Sequence, residues 1–161
     1  MKSSAEKCAE LILETTPRVM RAIRTEVAQY LGSGTTLPQF RVLSHLNRGS
    51  QCLSDLAARQ HVSLATMSKI VTGLVDRGYV ERMPEGDDRR YITLRLTPRG
   101  QHFFDKVHAH TREKISERID SLSRDEHERI DMGMQLLGSV FGENGHLRRG
   151  RAAPRAGNKS K

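Results

Sequence analysis

The sequence has no tryptophan, aromatic residues make up 4% of it, and its only two cysteines, Cys8 and Cys52, lie 44 positions apart. Without an indole, any small-molecule pocket lacks a large flat platform. Two cysteines so far apart make neither a disulfide framework nor a metal-ligand cluster, and they suit a reducing compartment. No apolar run approaches the roughly 20 residues needed to cross a bilayer. The opening MKSSAEKCAELILE lacks the apolar stretch of a secretory signal, so the expectation is a cytoplasmic chain. Also missing are Gly-x-Ser-x-Gly, a phosphate-cradling glycine loop, His-Glu-x-x-His and Cys-x-x-Cys. The chain therefore reads as no enzyme, with no cofactor. His102, His108 and His110 fall on one expected helix, but none of their spacings is the three or four that puts two ligands on one face, so no metal site is expected.

What the sequence has in excess is positive charge. Its 161 residues carry a net charge of +8. The excess is uneven: net +1 over residues 1–37, +4 over 38–99, −3 over 100–143 and +6 over 144–161. The last segment, NGHLRRGRAAPRAGNKSK, has one large apolar residue, Leu147. It cannot bury enough surface to offset its ordering entropy, and reads as a disordered basic tail with either nonspecific phosphate affinity or a role in solubility.

Apolar or small residues at Cys8, Ile12, Thr15, Val19, Ile23, Val27 and Tyr30 predict a helix over 5–31, with Pro17 expected to kink or break it near Thr16. Pro38 opens a second helix carrying Phe40, Leu43 and Leu46. A short helix over about 53–59 follows, capped by Cys52 or Ser54, with Leu56 and Ala57 inward. Ser63 caps the next, in which Met67, Ile70, Val71 and Leu74 form the buried stripe and Gly78 closes the end. The period then changes to alternation in YVERM (79–83) and RYITLRLT (90–97), around a turn PEGDDR. Thr97-Pro98 starts a helix with Phe104, Val107, Thr111, Ile115, Ile119 and Leu122 in phase. Ser123-Arg-Asp-Glu126 is a capping box opening a last helix that bears Ile130, Met134, Leu137 and Phe141.

The stretch 52–78 is a short helix, a turn at Gln60-His61-Val62 and a capped second helix, the pattern of a helix-turn-helix. In that motif the second helix enters the DNA major groove. Its outward residues here are Leu64, Ala65, Thr66, Ser68, Lys69 and Thr72: apart from Leu64 small, hydroxyl-bearing or cationic, and none acidic. An ordinary helical hairpin with a polar face remains the alternative from this segment alone. The hairpin after it, with Asp88, Arg89 and Arg90 near its tip, adds the look of a wing whose arginines can enter a minor groove.

The run from Leu56 to Gly100 resembles the MarR family of bacterial winged helix-turn-helix regulators. The resemblance is carried by Leu56-Ala57, by Leu74 through Gly78 to Val80, and by Asp88-Arg89-Arg90 followed by Leu96-Thr97 and Gly100. It extends over about residues 5–142. It implies a mainly α fold with a small β-wing, divided into a helical dimerisation region (1–37 and 98–143), a winged helix-turn-helix DNA-binding domain (38–97) and the basic tail (144–161). It also implies a homodimer on a pseudo-palindromic operator in double-stranded DNA, usually as a ligand-responsive repressor. The DNA-facing residues would be Ser63, Ala65, Thr66, Ser68, Lys69, Thr72, Asp88, Arg89 and Arg90. Independently of the family, the stripes at 5–31, 98–122 and 124–142 exceed what one small lobe can cover, which favours a partner chain.

The resemblance further implies a small phenolic or aromatic acid effector, held where the first helix, the helix near 38–47 and the helix from 98 converge. Val19, Met20, Ile23, Phe40 and His45 are expected to line that pocket, with Arg21 or Arg24 meeting a carboxylate. Two alternatives stand beside it. One is a nonspecific, architectural nucleoid protein driven by the basic tail. The other is a redox-sensing regulator using Cys8, although Glu6 and Glu10 beside it oppose thiolate formation and only Lys7 favours it. A thiol at Cys52, at a helix start, can have a lowered pKa, the alternative being a weak cap or a packed residue.

Overall fold

The computed structural model describes the backbone of residues 3–85 and 88–142, and all of their side chains except those of residues 85 and 88–91. Among the described residues six helices and three strands follow in the order α1 (Ser4–Leu31), α2 (Leu37–Leu46), β1 (Gln51–Cys52), α3 (Leu53–Gln60), α4 (Leu64–Asp76), β2 (Val80–Glu85), β3 (Asp88–Leu96), α5 (Pro98–Ile119) and α6 (Arg124–Phe141). The chain divides into two compact units, Met1–Glu117 and Arg118–Lys161. The expected basic tail at 144–161 lies outside the described residues.

Local sequence sets most of these boundaries. Ser3 and Glu6 form a capping box at the start of α1, Thr36 and Gln39 one at α2, and Ser123 and Glu126 one at α6. Gly78, at φ 69°, ends α4 in the left-handed conformation that a side chain disfavours. Thr97 precedes Pro98 and ties α5 down twice. Its Oγ1 donates to the Gly78 carbonyl at 2.6 Å and accepts from Gly100 N at 3.0 Å.

In the first unit, α2, α3 and α4 pack with the sheet around Val42, Leu43, Leu56, Met67, Val71, Leu74 and Leu94, each almost wholly buried. Phe104 of α5 closes this core and stacks on Phe40 at 5.6 Å. A smaller cluster of Val27, Leu31 and Val107 joins α1 to α5, with Ile23, Leu37, Phe40 and Phe103 against it. The sheet is antiparallel in the order β1-β3-β2. This is a helix-turn-helix with a wing.

Three expectations are corrected, and one strand is added. Pro17 does not break α1, which runs unbroken for 28 residues. Proline removes one helical N–H, and the surrounding turns are exposed, so water can satisfy the orphaned carbonyl. The turn expected over 84–89 is narrower: β2 reaches Glu85 and β3 begins at Asp88, with an irregularity at Pro84/Glu85. Pro84 fits a strand because β2 is at the sheet edge, where no ladder donor is required of it. The two-residue β1 was not expected, since so short a strand has no period of its own. Leu122 lies beyond the end of α5.

In the second unit α6 buries none of its residues. Ile130, Met132, Met134, Leu136, Val140 and Phe141 are all exposed, Leu136 to 67% and Phe141 to 71%. Among the described residues no helix is long and apolar enough to cross a membrane.

Candidate nucleic-acid interface

The geometry at α4 starts from its turn. His61 ends α3 at φ 54°, the left-handed region, and Val62 N donates to Ala57 O at 3.1 Å. The chain thereby reverses within three residues. Cys52 is the residue before α3 but makes no capping hydrogen bond to its backbone; its Sγ lies 2.9 Å from Ser54 Oγ. Ser63 caps α4 as expected, its Oγ accepting from Thr66 N at 3.1 Å and standing 2.9 Å from Thr66 Oγ1.

Met67, Val71 and Leu74 point into the core and leave the other face of α4 uncovered. Leu64, Ala65, Thr66, Lys69 and Thr72 are exposed. Ser68, expected on that face, is half-buried beside it, and Ile70, expected in the buried stripe, is likewise only partly covered by the core. No acidic residue occurs in α4 before Asp76 at its far end. The amino-terminal half thus presents free helix N–H groups, hydroxyls and one ammonium, a set that attracts phosphate and can bond base edges.

One side chain at this face escaped sequence reasoning. Arg82 Nη2 of β2 donates to Thr72 Oγ1 at 3.1 Å, bringing an exposed guanidinium from the wing to the outward stripe of α4. The contact spans ten residues and two elements, so no helical or strand period announces it. The backbone places Asp88 to Arg90 at the start of β3, but the side chains of Asp88, Arg89 and Arg90 lie outside the described residues. Arg95, on the same strand, is paired with Glu81 at 2.6 Å.

The residues expected around an effector separate. Arg21 and Arg24 line a groove of about 410 Å³ together with Pro17, Thr25, Ala28 and Leu37. Val19 and Met20 are exposed outside it, Ile23 and Phe40 pack into the cores, and His45 is half-buried on α2. The convergence of all seven on one pocket is therefore not what the fold makes, because α1 turns Ile23 and the two arginines to different sides. A second groove, of about 750 Å³, lies between the end of α1 and α5 and is lined by Tyr30, Lys106, His110, Arg112, Glu113 and neighbours. Cys8 is exposed and Cys52 half-buried. Among the described residues no three His, Cys, Asp or Glu side chains gather as a metal site would require.

Comparison with known proteins gives a consistent result. A family model described as MarR family matches residues 33–90. The HTH-type transcriptional repressor YetL of Bacillus subtilis is 30% identical over 70% of this chain and 67% of its own length. The HTH-type transcriptional regulator YfiV of the same organism is 26% identical over 70% and 71%. The crystal structure of RV1404 from Mycobacterium tuberculosis superimposes with a TM-score of 0.72 at 24% identity, over 89% of this chain and 97% of that one.

Proposed function

The chain belongs to the MarR family of transcriptional regulators, and from that premise we propose that it is a sequence-specific repressor acting as a homodimer on a pseudo-palindromic operator. The observation that carries the reading is the two-sided α4 helix. One side is buried through Met67, Val71 and Leu74, and the other is exposed, free of acid and capped by Ser63. In this reading Ala65, Thr66, Ser68, Lys69 and Thr72 enter the major groove, and Ser63 with the helix start meets a phosphate. Arg89 and Arg90, directed by Asp88, serve the minor groove. Arg82 joins them, holding Thr72 and facing the backbone.

Residues 38–97 act as the DNA lobe and 1–37 with 98–143 as the dimerisation region. Support for the dimer is the exposed apolar surface of α6 and of the first half of α1, where Leu11 and Leu13 are uncovered. The effector is proposed to be a small aromatic or phenolic acid, its carboxylate on Arg21 and Arg24 in the α1 groove. The name repressor rests on relatives such as YetL.

The test is a gel shift on DNA upstream of the protein's own gene, against a shuffled duplex, with and without aromatic acids. Retardation of the first at a concentration at least about a thousandfold lower than the second is the expected result. Equal retardation, with a steep salt dependence that disappears on removing 146–161, would instead assign an architectural role to the basic tail, whose net charge is +6.

A further inference from the structure

Two contacts join α4 to the α1–α2 loop and the first turn of α2. At the carboxyl end of α4 the Arg77 guanidinium donates through Nη1 to Thr35 Oγ1 at 3.0 Å. Thr35 is only 6% exposed although it lies in a connecting loop. One turn earlier, Gly73 faces Gln39: a methyl group at position 73 would stand 2.8 Å from Gln39 Nε2. That amide is itself held. Gln39 Oε1 accepts from Thr36 N at 3.0 Å, Gln39 N donates to Thr36 Oγ1 at 3.4 Å, and the pair caps α2. Glycine inside a helix costs about 1 kcal/mol relative to alanine. What position 73 gains in return is room for the capping side chain of the neighbouring helix.

Gly73 and Arg77 are four residues apart, on the flank of α4 between its buried stripe and its outward stripe. A core contact alone resists separation of two helices but resists rolling poorly. Two lateral contacts about 6 Å apart along the axis, one a hydrogen bond and one a close approach of the Gln39 amide to the Gly73 backbone, resist a roll. Side chains extend to about 5–6 Å from a helix axis, so a roll of about 20° moves them by roughly 2 Å, more than a hydrogen bond to a base edge tolerates.

We propose that Thr35–Arg77 and Gln39–Gly73 form a brace that fixes the roll of α4, making these four residues positioning residues for sequence discrimination. The inference rests on α4 being the reading helix. It adds that discrimination is set partly by the α1–α2 junction, through groups that touch no base.

The experiment uses the full chain carrying Thr35→Val, Arg77→Met, the two together, Gly73→Ala and the conservative Thr35→Ser. Affinity is measured on a duplex selected from a random pool by the wild-type protein and on a shuffled one, across a salt series. Amide hydrogen exchange is followed in the free protein. Thr35→Val and Arg77→Met are each expected to lower the ratio of selected to shuffled affinity about tenfold, the discrimination that one good base-edge pair supplies, at unchanged salt slope. The double variant falls no further, Thr35→Ser retains the wild-type ratio, and amides at 74–77 exchange faster in Thr35→Val. Gly73→Ala should lower the ratio similarly and speed exchange at Thr36 and Gln39.

An unchanged ratio with unchanged exchange in Thr35→Val overturns the brace. So does a loss on every sequence with a salt slope lower by about one in Arg77→Met while Thr35→Val is silent, because Arg77 is then a phosphate ligand. A wild-type protein that selects no sequence overturns the assignment of α4 as reader instead. The brace is then decided by the exchange rates alone.

Discussion

Gly100 shows how little room single positions leave. A Cβ there would overlap the Tyr79 carbonyl oxygen, so α5 starts hard against the turn that follows α4. Gly100→Ala should destabilise the fold by about 1–3 kcal/mol, the cost of overpacking, as read by urea denaturation. Wild-type stability in that variant would mean the turn can yield. At Ser63 the capping bond to Thr66 N is exposed, and Ser63→Ala should cost about 1 kcal/mol. For Lys69 two roles predict different data. As a base reader, its replacement by alanine relaxes preference at one position of each half-site. As a phosphate ligand, the replacement weakens all sequences alike and lowers the salt slope by about one. Arg82→Ala should follow the phosphate pattern, with an added loss from freeing Thr72; a variant indistinguishable from wild type on every duplex would remove Arg82 from the interface.

Among the described helices, α6 is the one that buries no residue, and its start is held by a capping box. The Glu126 carboxylate accepts from the Ser123 backbone N–H at 2.8 Å and from the Ser123 hydroxyl at 2.8 Å. The backbone bond first, and the hydroxyl second, hold its pKa below the ordinary 4.5. A depressed carboxylate pKa in the folded state adds stability above the unfolded value and loses it as pH falls through the folded value. The helix start should therefore fray only below about pH 4.5, with the Glu126 Cδ resonance titrating at a midpoint under that figure. A midpoint at or above it would mean the capping box is not formed in solution. Glu126→Gln should abolish this acid-range change while leaving neutral-pH helicity near its original level. α4 differs in kind: its start is fixed by Ser63, its inner face by core packing, and its flank by Thr35 and Gln39.

On the scale of the molecule, uncovered apolar surface is the main feature. Leu11 and Leu13 on α1 and Met134, Leu136, Val140 and Phe141 on α6 are exposed in the single chain. Sedimentation at micromolar concentration should give about twice 18.2 kDa. Met134→Lys with Leu136→Lys should yield a smaller species that binds operator DNA far more weakly, because two half-sites are no longer read together. A folded wild-type monomer with full operator affinity would contradict the dimer. Residues 146–161 carry Arg148, Arg149, Arg151, Arg155, Lys159 and Lys161. Their removal should reduce the salt slope by about 0.9 for each phosphate that these side chains neutralise. An unchanged slope would leave the tail to solubility.

The sequence alone determined what depends on near neighbours. Caps at Ser63 and Ser123, the left-handed Gly78, the Thr97-Pro98 helix start and the buried stripe Met67, Val71, Leu74 all follow from residues within about two turns of one another, where hydrogen bonding and helical period are local. The same short-range reasoning failed at Pro17, where the consequence of a missing N–H depends on how exposed the helix is, and at Pro84, where it depends on which edge of a sheet the strand occupies. Tertiary structure decided whatever joins distant residues: the pairing of β1 with β3, Arg82 on Thr72, Arg77 on Thr35, and the scattering of the expected effector residues among a groove, two cores and open surface. These contacts are set by how the helices cross and how the sheet folds back. Those geometries come from the simultaneous packing of Val42, Leu56, Leu74, Leu94 and Phe104, and no one segment encodes it.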